Sequence, residues 1–191
     1  MKKKNIKKEI IEWGVFLSII AILFFTGWYK DVAATLQRVM LQTGLFKAEY
    51  YEEDERLKAS YDFVLTDFNQ NEVPFEKFRN KPVFINFWAT WCPPCIAEMP
   101  DIQKLYDEFE GSDVSFVMIS LDKDPEKAKK FIERKNYTFP VYFLSTSIPD
   151  VYESSTIPTT FIVSPKGEIV MQRKGMADYY NKTMINFIRS L

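Results

Sequence analysis

The run Pro82-Val-Phe-Ile-Asn-Phe-Trp88 is almost entirely apolar and leads, through Ala89 and Thr90, straight into Trp91-Cys92-Pro93-Pro94-Cys95. A short, nearly continuous apolar run reads as a strand buried on both faces, because a half-buried strand would alternate. Beyond the cysteines the period changes: Ile102, Leu105, Tyr106 and Phe109 recur at i, i+3, i+4 and i+7, and Gly111 follows as a stop. A helix is therefore expected from near Pro93 to Phe109. The two cysteines must sit where a central strand hands over to a helix, and any fold for this chain has to be built around that junction.

The flanking sequence supplies alternating elements. Tyr61 to Leu65 reads as a strand closed by the turn-forming Asn69-Gln70-Asn71, and Val114 to Leu121 as a second apolar strand. Asp124 followed by Pro125 forms a cap and first-position pair for a helix with Ala128, Phe131 and Ile132 inward. Phe139 to Leu144 is a third strand. Thr159 to Val163 and Glu168 to Lys174 flank the hairpin turn Ser164-Pro165-Lys166-Gly167, and a last helix is expected to bury Tyr180, Met184, Phe187 and Leu191. A β-α-β half followed by a β-β-α half, with cysteines at the strand-to-helix junction, describes an α/β thioredoxin fold: a central mixed sheet flanked by helices.

The amino terminus has a different character. Residues 1–12 carry Lys2, Lys3, Lys4, Lys7 and Lys8, and the stretch from Trp13 to Tyr29 has no charged residue. At the helical rise it covers roughly 25 Å, close to a hydrocarbon thickness, with Trp13, Trp28 and Tyr29 at its two ends. It is expected to be a transmembrane signal anchor with the basic tail in the cytoplasm and the remainder of the chain on the outer face, in a periplasm or at a cell surface. A cleaved signal peptide has the same charge order, but the apolar run is longer than usual and no A-x-A-like site follows. Residues 30–58 are expected to form an amphipathic helix (Val32, Leu36, Val39, Met40 and Thr43 on one side) and then an acidic, solvated linker. Residues 59–191 form the thioredoxin-like domain.

Composition removes many chemistries. The chain has 2 Cys and 0 His, so a Ser-His-Asp triad, a Cys-His dyad and a His-ligated metal site are all out of reach. Two thiolates alone do not complete a metal site within one chain, so no metal is expected. Ile96 stands where haem attachment would need histidine. A net charge of -1 gives no reason to expect nucleic acid.

What remains is sulfur. A disulfide between residues so close in sequence closes a small ring and contributes little as a staple. At the first turn of a helix the same pair becomes reactive, because free N–H groups and the helix dipole favour a thiolate. Cys92 is expected to be the exposed nucleophile that attacks a substrate disulfide, and Cys95 the thiol that resolves the mixed disulfide. No cofactor is expected beyond the redox-active pair Cys92–Cys95 itself.

The segment Asn86-Phe-Trp-Ala-Thr-Trp-Cys-Pro-Pro-Cys-Ile-Ala-Glu-Met-Pro100 resembles the active-site segment of the TlpA/ResA-like family of membrane-anchored thioredoxins, and the resemblance extends over most of residues 59–191. Thr156-Ile157-Pro158-Thr159-Thr160 is similar to the family's loop bearing a cis proline beside the disulfide. The resemblance implies that Pro158 is cis, that Ile157 faces the cysteines, and that Trp91, Pro93, Ile157 and Pro158 meet the substrate. Thioredoxin itself has a proton-accepting Asp where this chain has Asn86; Glu98 matches the family's active-site glutamate and lies one turn beyond Cys95, placed to exchange a proton with it. It further implies protein dithiols or disulfides as substrates, a membrane thiol transporter as electron donor, and a role such as preparing apocytochrome c cysteines for haem attachment or supporting envelope stress resistance. Pro93 and Pro94 supply no N–H and no cation between the cysteines, which points to a reducing or intermediate potential. Two alternatives differ in class. A peroxide-reducing relative needs a peroxidatic Cys with a supporting Thr and Arg in a distinct motif that is not found; a tethered binding module would carry the cysteines as a vestige.

Overall fold

The computed structural model describes residues 11–18, 36 and 51–191. Eight strands run β1 (Leu57–Lys58), β2 (Val64–Thr66), β3 (Glu72–Pro74), β4 (Val83–Trp88), β5 (Ser115–Ser120), β6 (Val141–Leu144), β7 (Thr159–Val163) and β8 (Glu168–Lys174). Three helices, α1 (Pro93–Glu108), α2 (Pro125–Lys135) and α3 (Lys182–Arg189), complete the domain. The strands form one mixed sheet in the order β1-β8-β7-β4-β5-β6-β2-β3, parallel at β4–β5 and β5–β6 and antiparallel elsewhere.

That order determines where the helices lie. The chain steps from β4 to β5 through α1, and from β5 to β6 through α2, moving in the same direction across the sheet both times. Right-handed crossovers then place both helices on one face. The core agrees: Phe84 and Trp88 of β4, Ile102 and Leu105 of α1, Phe131 of α2 and Ile188 of α3 belong to a single buried cluster. The opposite face, with Ile85 and Phe87 of β4, is covered by an aromatic layer in which Phe63 stacks on Phe75 at 4.3 Å and Tyr152 meets Phe161 edge-on at 5.4 Å. Every residue of β4 is buried, as its unbroken apolar sequence requires. Each fully buried large side chain on that strand contributes about 1.5–3 kcal/mol, so the strand that carries the cysteines is a rigid base for them.

Several expectations shift in detail. The strand expected over Tyr61 to Leu65 pairs only over Val64–Thr66, because Phe63 N donates to the Tyr61 carbonyl at 3.0 Å and the two rings turn onto Phe75. The turn at Asn69–Asn71 forms with Gln70 at φ 63°, and the Asp67 carboxylate accepts from the backbone N–H groups of Asn69 and Asn71. In the last helical segment Met184 and Ile188 are buried, whereas Tyr180 is 40% exposed; its neighbour Tyr179 takes the interior position instead. The stretch expected as a solvated linker is docked near its end. Tyr51 N donates to the Val170 carbonyl at 3.0 Å, Tyr51 OH donates to Gln172 Oε1 at 2.8 Å, and Leu57–Lys58 pairs with β8.

Residues 11–18 are helical and exposed. Most of the anchor expected over 13–29, and the amphipathic helix after it, lie outside the described residues. Among the described residues no helix is long and apolar enough to cross a membrane.

Candidate functional site

The reactive pair is built by the end of β4 and the first turn of α1. Cys92 is the N-cap residue, in extended backbone conformation, and its Sγ accepts from the Cys95 backbone N–H at 3.2 Å. Pro93 and Pro94 occupy the first helical positions, where a missing N–H costs nothing. The two cysteines are joined in a disulfide with their Cα atoms 5.3 Å apart. The expectation of an exposed nucleophile needs correction in degree: in this oxidised state Cys92 is only 4% exposed, and Cys95 is fully buried. What little exposure the pair has belongs to Cys92. Trp91 beside it is 54% exposed and Pro93 is half-buried, so both border any molecule that approaches the sulfur.

The Ile157–Pro158 peptide bond is cis. The Ile157 carbonyl oxygen lies 3.7 Å from Cys92 Sγ, close enough to accept from its thiol in the reduced state. Gly175 N, just past β8, donates to the Pro158 carbonyl at 2.8 Å and fixes the loop from behind. Beside Ile157 opens a groove of about 590 Å³ whose walls include Phe87, Leu121, Leu144, Tyr152 and Ser155. This groove uses part of the segment Ser145 to Ser155, which has no motif of its own. Trp91 and Pro93 thus flank Cys92 in the chain, the Ile157 carbonyl lies against its sulfur, and Pro158, joined to Ile157 by the cis bond, is buried behind it.

Glu98 lies on the buried face of α1, completely shielded from solvent, so it is no surface glutamate. Burial pushes its carboxyl up to about 8 from an ordinary 4.5, against the opposing pull of a hydrogen bond from Asn86, one from the Ala177 N–H, and the charge of Arg173. Asn86 Nδ2 donates to Glu98 Oε1 at 2.8 Å and Ala177 N donates to Oε2 at 3.2 Å. Asn86 Nδ2 also donates to Thr160 Oγ1 at 2.8 Å, and Tyr179 OH donates to the same oxygen at 2.7 Å. Burial raises the Tyr179 phenol as well, so it stays a neutral donor. Asn86 Oδ1 is buried and has no hydrogen-bond partner among the described residues, an open acceptor beside a carboxyl whose protonated form carries a donor proton. Asn86 and Glu98, which the sequence treats as alternatives for one task, are a bonded pair.

Sequence reasoning missed Thr160, Tyr179 and the Ala177 N–H. Thr160 is directly opposite Asn86 in the β4–β7 register, but the two are far apart along the chain and carry no shared pattern. Among the described residues no group of three or more His, Cys, Asp or Glu side chains could hold a metal ion.

Known proteins are similar to this chain in sequence and in fold. Residues 58–172 match the model of the AhpC/TSA family. The chain is 32% identical over 188 residues to the thiol-disulfide oxidoreductase ResA of Bacillus subtilis, covering 95% of each chain. It is 30% identical over 169 residues to the ResA of Oceanobacillus iheyensis, covering 88% of this chain and 82% of that one. Among solved structures, StoA from Bacillus subtilis superposes with a TM-score of 0.55 at 26% identity, over 65% of this chain and 94% of that one. A thiol:disulfide interchange protein DsbE from Chlorobium tepidum, at 24% identity, shares the fold with a TM-score of 0.62 over 73% of this chain and 98% of that one. Both ResA relatives are named thiol-disulfide oxidoreductases, a chemistry that the disulfide at the head of α1 can carry out. The chain belongs to the AhpC/TSA family and, within it, to the TlpA/ResA-like thiol–disulfide oxidoreductases.

Proposed function

We propose that this oxidoreductase works as a disulfide reductase, tethered by its amino-terminal apolar segment to the outer side of the cytoplasmic membrane. The observation that carries the direction is the first turn of α1. It holds Pro93 and Pro94 and no charged side chain, so a Cys92 thiolate receives help from the helix end alone. Strong oxidants owe their potential to a specially stabilised reduced form, and this turn offers no cation for that purpose.

The Cys92 thiolate attacks one sulfur of a substrate disulfide. A bond forms between that sulfur and Cys92 as the substrate S–S bond breaks, and the other substrate sulfur leaves as a thiolate and takes up a proton. Cys95 then gives its proton to the Glu98 carboxylate, and its thiolate attacks Cys92 Sγ. The second substrate sulfur is released as a thiolate and the Cys92–Cys95 disulfide closes. Two electrons have passed to the substrate, and a membrane dithiol carrier returns two to the enzyme. Glu98 suits this task because a carboxyl at about 8 is matched to a thiol near neutral pH, where roughly a tenth of it is ionised. A protein Cys-x-x-Cys disulfide, as in an apocytochrome c before haem attachment, is the substrate class proposed.

The test is to express the chain with Cys95→Ala, which stops the reaction at the mixed disulfide, and to identify what is joined to Cys92. Substrates with oxidised cysteine pairs would support the reading. A measured potential as high as that of a strong oxidant, or unchanged biological activity in Cys92→Ser, would contradict it; the second result would favour a binding module. Extraction of the full chain by carbonate rather than detergent would rule out the tether.

A further inference from the structure

Between the end of β4 and Cys92 the chain makes a short bend, Ala89-Thr90-Trp91, and that bend is held from the neighbouring strand. Leu121 N donates to the Trp88 carbonyl at 2.8 Å, and Cys92 N donates to the Ala89 carbonyl at 3.2 Å. The carboxylate of Asp122, only 8% exposed, takes both donors of Thr90: the backbone N–H at 2.9 Å on Oδ2 and the hydroxyl at 2.6 Å on Oδ1. Ser120 Oγ donates to Oδ2 at 3.0 Å and braces the carboxylate against the end of β5. Hydrogen bonds to an ionised acceptor are about twice as strong as neutral ones, and two from one residue fix orientation as well as distance.

This clamp reaches across 32 residues of sequence to the loop that presents the reactive sulfur. We propose that Asp122 is a positioning residue for thiol–disulfide exchange, acting through Thr90 to hold Trp91 and Cys92 in the one orientation that receives a peptide. Exchange requires the attacking Cys92 sulfur to line up with the substrate S–S bond it breaks; a peptide seated on the loop cannot reorient to meet a misplaced sulfur, whereas a small free disulfide can. Trp91 is the most exposed part of the loop, so its placement governs how a chain segment on either side of a substrate cysteine can lie. The role is the same for both directions of electron flow, because the forward and reverse reactions share one transition state.

Three variants of the full chain test it: Thr90→Val, which removes the hydroxyl; Thr90→Ser, which keeps it; and Asp122→Asn, which turns one acceptor oxygen into a donor. For each, the melting temperature is measured, then the second-order rate constants of the reduced protein with a disulfide-bridged peptide and with a small aliphatic disulfide, at a temperature where every variant is folded. The expected result is a five- to twentyfold loss of the peptide rate in Thr90→Val and Asp122→Asn, recovery in Thr90→Ser, and less than a twofold change with the small disulfide. A peptide rate within twofold of wild type in Thr90→Val, a Thr90→Ser protein as slow as Thr90→Val, or equal losses with both disulfides would overturn it. Should Asp122→Asn fail to fold, the two Thr90 variants decide the matter.

Discussion

Helices α1 and α2 begin in nearly the same way and end up with different tasks. Each follows a strand of the parallel part of the sheet, has an extended N-cap residue and carries proline in its first turn. In α2 the cap is the Asp124 carboxylate, accepting from Glu126 N at 3.1 Å, and Glu126 adds a second negative charge beside the positive helix end. In α1 the cap is a sulfur, and the first turn has no acidic residue. The helix end that α2 neutralises is left in α1 for a charge that appears only during reaction, the thiolate of Cys92. Their buried faces differ as well: α2 hides only Ala128, Phe131 and Ile132, whereas α1 hides Glu98 completely and Asp101 nearly so. A helix start is thus a stabilising device or a reactive one depending on whether its charge is already answered.

The largest expected effect comes from removing the sulfur cap. Cys92→Ser retains an oxygen that can cap α1 but removes the attacking group, so exchange with protein disulfides should disappear while the melting temperature stays within a few degrees of wild type. Next is Glu98→Gln, which removes the one fully buried carboxyl of α1 and so brings its buried face closer to the apolar face of α2. Resolution of the mixed disulfide should slow by about ten- to a hundredfold, seen in stopped-flow as an accumulating Cys92 adduct. The same variant has a stability signature. From an ordinary 4.5 up to about 8, folded Glu98 holds a proton that the unfolded chain has released. Stability therefore falls as pH rises through that window and levels off above it; chemical denaturation at pH 5 and pH 8.5 should show this loss in wild type and a smaller one in Glu98→Gln.

A subtler variant gives α1 the acidic first turn of α2. Pro94→Glu should move the midpoint of Cys92 alkylation upward by about half a pH unit, and an unchanged midpoint would mean that the helix end does not act on the sulfur. The smallest effect on activity belongs to the other helix. Asp124→Ala should lower stability by about 1 kcal/mol in a denaturant titration and leave the exchange rate unaltered.

Legibility in the sequence followed from how local each signal is. The apolar run of β4, the stripe of α1, the Asp124-Pro125 start of α2 and the hairpin around Gly167 are each written within a few consecutive residues, and the structure has all of them. Strands β1 and β3 are too short to show a period, and their pairing depends on partners far along the chain. The same division runs through the site. Cys92, Cys95 and the cis Pro158 belong to compact motifs. The chain of hydrogen bonds joining Tyr179, Thr160, Asn86 and Glu98 draws on four separate segments, and the Asp122 clamp joins the ends of two strands. Neither leaves a spacing to read, because sheet register brings their members together.

If the capping sulfur of α1 is the reactive one, limited alkylation will single it out. The protein is reduced, treated with less than one equivalent of iodoacetamide at pH 7, digested and mapped by mass. The label is expected on Cys92, with Cys95 unmodified until the helix unfolds. Label on Cys95 first, or equally on both, would contradict it.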